Sequence, residues 1–177
     1  MVEQRRRRTR RVVVLADTHL RRGWDRSLPP RAWELLAGAD VILHAGDVVE
    51  GWVLEELAAF APVHAVLGNN DRELVGTLPE TLEIELDGVR VGMVHDSGPA
   101  TGRARRLHER FPDRDVVVFG HSHIPWNERG VGEQLLFNPG SPTERRRQPH
   151  RTLGVLELAG GVVLGAHLEV VGAQPSK

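Results

Sequence analysis

The chain contains no cysteine, which excludes a disulfide framework, a thiolate zinc site, an iron–sulfur cluster and a cysteine nucleophile together. Any metal or catalytic chemistry must rest on nitrogen and oxygen donors. Long apolar runs are missing too. The longest, such as Val12 to Ala16 and Val116 to Phe119, are strand-sized and far below the roughly 20 residues that cross a bilayer, so no membrane partner is expected. Charge of one sign is also lacking: 24 acidic residues against 23 basic ones leave a formal charge of −1 over 177 positions. Nucleic acid could then be drawn only to a local patch. Lysine is nearly absent, Lys177 being the single one, and the remaining bases are arginines. The arginine run from Arg5 to Arg11 leads into a short apolar segment that soon meets Asp17 and His19 and has no small-residue cleavage site, so a cytoplasmic location is expected.

The length fits one domain. Residues 1–11 read as a basic, disordered arm, 12–171 as the single domain and 172–177 as a frayed tail. Val12 to Ala16 is a β-branched run typical of a strand buried on both faces. Pro29 and Pro30 open a helix through Ala32, Leu35, Leu36 and Ala39. Val41 to Leu43 is a second strand, Trp52 to Ala61 a second helix stopped by Pro62, and Val63 to Leu67 a third strand. This alternation implies right-handed βαβ units and a parallel sheet. In the second half Leu82, Ile84 and Leu86 alternate with acids, and Asp87-Gly88 turns into Val89 to Val94. Thr101 to Phe111 reads as a basic helix, Val116 to Phe119 and Leu135 to Phe137 as strands, and Leu153 to Leu158 with Val162 to Leu168 as a closing hairpin around Gly160-Gly161.

Metal-capable residues follow the core strands one by one: Asp17-Thr18-His19, His44-Ala45-Gly46-Asp47, Gly68-Asn69-Asn70-Asp71, His95-Asp96 and Gly120-His121-Ser122-His123. Ligand sites of open α/β sheets lie beyond the carboxyl ends of their strands, so these five segments are expected to converge on one crevice. Carboxylates, imidazoles and an amide oxygen suit manganese, iron or zinc better than copper or a calcium cage. The i, i+2 spacing of Asp17 with His19 and of His121 with His123 puts each pair on one side of an extended segment. A carboxylate such as Asp47, placed between two such groups, has two oxygens with which to bridge two cations.

This ordered set resembles the calcineurin-like metallophosphoesterases, and its length, with Asn138-Pro139-Gly140-Ser141 after the double histidine, is most similar to their small one-domain phosphodiesterase branch. The resemblance implies a four-layer αββα sandwich of two mixed β-sheets flanked by helices. It implies that Asp17, His19, Asp47 and His123 hold one divalent ion and Asp47, Asn69, His95 and His121 a second, with manganese the expected metal and iron, zinc or nickel as alternatives. The activity implied is in-line attack of a metal-bridging hydroxide on a phosphate ester.

Two positions depart from the pattern. Most of the wider superfamily has a histidine able to protonate the leaving oxygen where this chain has Asn70, which has no titratable proton. The change favours diesters with good leaving groups. Asp96 stands where the family has glycine, within reach of supporting a ligand imidazole. His44, on a buried strand, reads as a hydrogen-bonded support. Of Arg145, Arg146 and Arg147, one is positioned to hold a phosphate oxygen, and Trp126 to line the site. Nucleic acid enters only as a substrate, and self-association through an edge strand or the closing hairpin is a further expectation. The alternative is a scaffold that keeps the fold, binds a protein partner and has weak or no catalysis, as in the retromer subunit similar to these enzymes.

Overall fold

The computed structural model describes residues 8–172. The first strand, β1 (Arg10–Leu15), begins within the arginine run, so Arg10 and Arg11 belong to the sheet and not to an arm; the remainder of the expected arm, residues 1–7, and residues 173–177 of the expected tail lie outside the described residues. Helix α1 (Pro30–Ala37), strand β2 (Val41–His44), helix α2 (Trp52–Ala58) and strand β3 (Val63–Ala65) follow. β4 (Thr81–Leu86) and β5 (Val89–Val94) form a hairpin, then come helix α3 (Arg103–Arg110), β6 (Val116–Val118), β7 (Trp126–Arg129), β8 (Leu135–Asn138), β9 (Arg151–Ala159) and β10 (Val162–Gly172).

Two five-stranded sheets result, in the orders β10-β9-β1-β2-β3 and β4-β5-β6-β8-β7. β1, β2 and β3 are parallel, and β9 and β10 add antiparallel strands at one side. In the second sheet β5, β6 and β8 are parallel, with antiparallel β4 and β7 at the edges. Strand periodicity explains the layers. Val12 and Val14 face Met93, Val116, Val118 and Phe137 in the core between the sheets. Val13 and Leu15 point the other way, onto Leu35, Leu36, Val53 and Leu57 of α1 and α2. Leu107 and Phe111 cover the far face of the second sheet beside Val117 and Phe119. A strand covered on both faces has no use for polar residues, which is why Val12 to Leu15 is unbroken. The four-layer αββα sandwich is therefore observed. Among the described residues no helix is long and apolar enough to cross a membrane.

Some boundaries move for local reasons. α2 stops at Ala58 instead of Ala61, because Pro62 disfavours helical geometry at the residue before it; Phe60 instead stacks on Trp33 at 5.6 Å. β7, which carries the sequence Trp-Asn-Glu-Arg, has no apolar alternation, and its last three residues are exposed. The turn Asp87-Gly88 has φ of 50° and 82°, the pair of positive values a two-residue hairpin turn of type I′ requires. Asp87 also accepts from Gly160 and Gly161, both at 2.7 Å, tying the two hairpins together.

Candidate metal centre

Every parallel strand except β8 delivers a predicted ligand as it leaves the sheet. Asp17 and His19 follow β1, Asp47 follows β2, Asn69 follows β3, His95 follows β5, and His121 and His123 follow β6. All seven predicted ligands meet in one space. Asp17 Oδ1 is 3.6 Å from His123 Nε2, 3.9 Å from His19 Nε2 and 4.0 Å from His95 Nε2. Asp47 Oδ2 lies 3.5 Å from the Nε2 atoms of both His19 and His95. Asn69 Oδ1 approaches His95 Nε2 at 3.0 Å and His121 Nδ1 at 2.9 Å. Two ligand clusters stand out, Asp17 with His19 and His123, and Asp17 with Asp47 and His95.

The ligand segments are not extended, contrary to the i, i+2 expectation. Asp17, His19, Asp47, His121 and His123 all have φ between 45° and 67°, the left-handed region that L residues enter at a cost of about 1–2 kcal/mol each. Tertiary hydrogen bonds impose it. Asp17 N–H donates to Gly46 O and His19 N–H to Asp47 O, both at 3.0 Å, and Ser122 N–H to Gly120 O at 2.8 Å, a tight turn centred on His121. Ser141 Oγ donates to Asp17 O and Thr143 Oγ1 to Thr18 O, each at 2.7 Å. Gly46 (φ 89°) and Gly68 are forced by proximity: a Cβ on Gly46 would sit 2.7 Å from His95 Nδ1, and one on Gly68 would overlap the Asp47 backbone and carboxylate.

Asp71 carries more of this architecture than its place in the motif announced. It is buried, and its carboxylate accepts from Asp47 N at 2.9 Å, Gly68 N at 2.7 Å and Val49 N at 2.6 Å. Val49 is β-branched and has φ 85°, a real outlier held by that last bond. Asp71, Ser141 and Thr143 were not read as site residues from the sequence. The available signal was a short acceptor or hydroxyl directly after a glycine-bearing ligand turn, where freed backbone groups need partners.

The imidazoles are set for coordination. His95 Nδ1 is 2.7 Å from Ala45 O and His123 Nδ1 is 2.7 Å from Glu144 O; each carbonyl takes the proton on that nitrogen and leaves Nε2 facing the carboxylates. Burial lowers His19, and lowers His123 to about 4 with help from the Arg146 charge, which favours neutral rings, and their Nε2 atoms approach each other at 3.3 Å. Burial also lowers His95, but the Asp47 and Asp17 carboxylates outweigh it and raise the ring above its ordinary value. Asp17 is pushed up to about 7, chiefly by burial and secondarily by Asp47, with His95 opposing. Burial also works against the Asp47 charge, but His95 and the backbone and side-chain N–H of Asn70, at 2.8 and 2.7 Å, hold that carboxyl well below the usual range.

Both carboxylate oxygens of Asp17 are buried and have no hydrogen-bond partner. An unsatisfied buried carboxylate is costly, and one ringed by imidazole nitrogens is the chemistry a divalent cation satisfies. The residues fit a metal centre.

The remaining predicted positions separate. Asn70 is at the site, on Asp47. His44 is fully buried behind it, its Nε2 at 3.1 Å from Thr18 Oγ1, and burial takes it down to about 3. Asp96 does not reach a ligand imidazole; it is exposed, and its Oδ1 accepts from Gly98 N at 2.7 Å, closing its own turn. Arg145 donates to Gln148 O at 2.7 Å, and its neighbour Arg146, at φ 48°, is the arginine turned to the centre, with Nη1 3.4 Å from His121 O. Trp126 packs on the buried Arg103, 4.8 Å from its guanidinium, and belongs to the α3 side of the second sheet instead of lining the site.

The calcineurin-like phosphoesterase superfamily domain matches residues 11–161, spanning every one of these ligands. The chain belongs to that superfamily. A probable metallophosphoesterase of Methanothermobacter thermautotrophicus is 34% identical over 139 residues, 76% of this chain and 78% of that protein. Among solved structures, wild-type Vps29 of Entamoeba histolytica complexed with Zn²⁺ superposes with a TM-score of 0.72 at 22% identity, over 92% of this chain and 98% of that one. An archaeal phosphodiesterase superposes with a TM-score of 0.66 at 20% identity, over 90% and 99%. At such identities these structures share the fold. Family membership assigns the chain to the metal-binding phosphoester hydrolases.

Proposed function

We propose that the protein is a phosphodiesterase with a binuclear metal centre, in which Asp17, His19, Asp47 and His123 hold one divalent ion and Asp47, Asn69, His95 and His121 the other. The observation that carries this reading is the buried, unpartnered Asp17 carboxylate among histidine nitrogens, two of which, on His95 and His123, belong to rings whose far sides are bound to carbonyls. The equal 3.5 Å distances from Asp47 Oδ2 to His19 and His95 support Asp47 as the shared ligand. Two ions in such a centre, manganese in our reading, supply Lewis acidity and an ionised water at neutral pH. The protein residues supply the rest. Asn70 fixes the Asp47 carboxylate with two donors, Asn69 presents an amide oxygen that adds no charge to repel phosphate, and Arg146 offers a guanidinium at the mouth for a phosphoryl oxygen.

Asn70 stands where a proton donor for the leaving oxygen would be needed and cannot donate a titratable proton. Diesters with good leaving groups are therefore favoured over monoesters. The test is hydrolysis of bis(p-nitrophenyl) phosphate and p-nitrophenyl phosphate by metal-stripped protein titrated with Mn²⁺, beside Asp47→Asn. We expect metal-dependent diester turnover that the substitution abolishes. Tight metal binding without turnover of either ester would replace the enzyme by the second reading, a metal-stabilised scaffold for a protein partner, which the likeness to Vps29 and the presence of Asn70 favour.

A further inference from the structure

Two clefts flank the metal centre, and their charges differ. The one beside Asn70 is lined by Arg21, Arg72, Glu50 and Glu73, which cancel. The other, of about 480 Å³, is lined by Arg26, Arg145, Arg146 and Arg151 against only Asp25 and Glu144, leaving two positive charges. The one ion pair within it among the described residues is Arg26 Nη1 with Glu144 Oε2, at 3.4 Å. Guanidiniums gathered in a concave site repel one another and keep their charge at any ordinary pH, so the arrangement favours an anion that takes several forks at once. The cleft is structurally continuous with the centre: Glu144 O accepts from the ligand His123, Thr143 from the same wall bonds Thr18 O, and Arg146 reaches His121 O.

We propose that this arginine cleft is a subsite for a second phosphate, a terminal phosphomonoester dianion carried on the organic part of the diester substrate. The idea rests on the phosphodiesterase reading and deepens it by naming the substrate class. A dianion matches the excess of two positive charges, while the charge-balanced cleft on the Asn70 side is left for the uncharged leaving group. Arg146 lies between the two phosphates, and Arg26, Arg145 and Arg151 surround the second. The volume suits a phosphorylated sugar or nucleoside and is generous for a lone phosphate.

The experiment compares two chromogenic diesters on the Mn²⁺-loaded protein: thymidine 5′-(p-nitrophenyl phosphate), and the same compound bearing a 3′-phosphate. We expect a KM at least tenfold lower for the 3′-phosphorylated compound at similar kcat. In Arg151→Gln and in Arg26→Gln that advantage should shrink below twofold, while the compound without the extra phosphate, which lacks the anion these arginines are proposed to hold, serves as internal reference for folding and metal loading. Equal KM values in the wild type, or an advantage unchanged in both variants, would overturn the proposal. If neither compound is hydrolysed the phosphodiesterase reading fails separately, and calorimetry then decides the subsite: thymidine 3′,5′-bisphosphate should bind the wild type at least tenfold more tightly than thymidine 5′-phosphate, and no difference overturns it. Thymidine 5′-diphosphate in the same titration distinguishes the source of the second phosphate. Binding as tight as that of the bisphosphate shows that a phosphoanhydride meets the subsite, and weaker binding shows that the two groups must be set apart by the sugar; the proposal as stated requires the weaker binding.

Discussion

Asp17 and Asp47 leave adjacent parallel strands, lie in the same metal space and are treated in opposite ways. Asp47 receives two hydrogen bonds from Asn70 and sits beside a histidine raised toward its charged form, so it is a stable anion whatever else is present. Asp17 receives none on either oxygen, and burial takes it to about 7. The lesson is that two carboxylates of one centre divide the labour. One is oriented by the protein alone and holds the geometry. The other is left unsatisfied, so that in the proposed centre a cation would relieve its electrostatic cost and gain affinity from doing so.

The strongest way to break this contrast is to neutralise each acid in turn. Asp47→Asn should lower Mn²⁺-dependent diester hydrolysis by about a thousandfold or more, since several kcal/mol of charge stabilisation disappear, with metal content falling in parallel by elemental analysis. Asp17→Asn should also lose metal but behave differently without it. Because the folded value of Asp17 lies above its ordinary 3.8, this group makes the metal-free protein less stable as pH rises from about 4 to about 7, with no further loss above. His44 and His123, lowered to about 3 and about 4, act oppositely, weakening the fold as pH falls below 6.5. The difference between variant and wild type cancels His44 and His123 and leaves Asp17 with its partner His95: in chelator, urea denaturation should show Asp17→Asn gaining on the wild type across pH 4–7, by a few kcal/mol at most, about 1.4 kcal/mol for each unit of pKa displacement. Saturating Mn²⁺ should reverse the order. A flat difference curve would break the comparison.

Smaller changes sharpen it by testing the supports. Asp71→Ala strands three buried N–H groups and should cost about 3 kcal/mol in denaturant melts, with metal affinity reduced by about 10–100-fold in calorimetry. Ser141→Ala removes one hydroxyl from the Asp17 carbonyl and should cost about 1 kcal/mol, with a change in Mn²⁺ affinity smaller than that of Asp71→Ala.

What could be read from the residues and what could not divide along the same line. The β-branched runs of β1, β2 and β6 and the positions of the ligands at their ends depend on neighbours close in sequence, so they were legible. β7 was not, because an edge strand made of Trp126-Asn127-Glu128-Arg129 buries no alternating face; Asn127 is instead held by Ala166 O of β10, at 2.9 Å. The left-handed backbone of the ligands was equally hidden, since the groups that impose it, such as Ser141 on Asp17, are 124 residues away. Asp96 and Arg145 were misplaced for a related reason: local turns, closed by Asp96 onto Gly98 and by Arg145 with Gln148, captured side chains that the motif alone would have sent to the centre.

Five of the proposed ligands occupy backbone conformations in which glycine or asparagine would be more comfortable. At those places a change to glycine would relieve backbone strain while removing a metal-capable side chain, so backbone comfort and metal binding pull in opposite directions. Aspartate or histidine at all five is what a metal centre would require in exchange for that conformational cost.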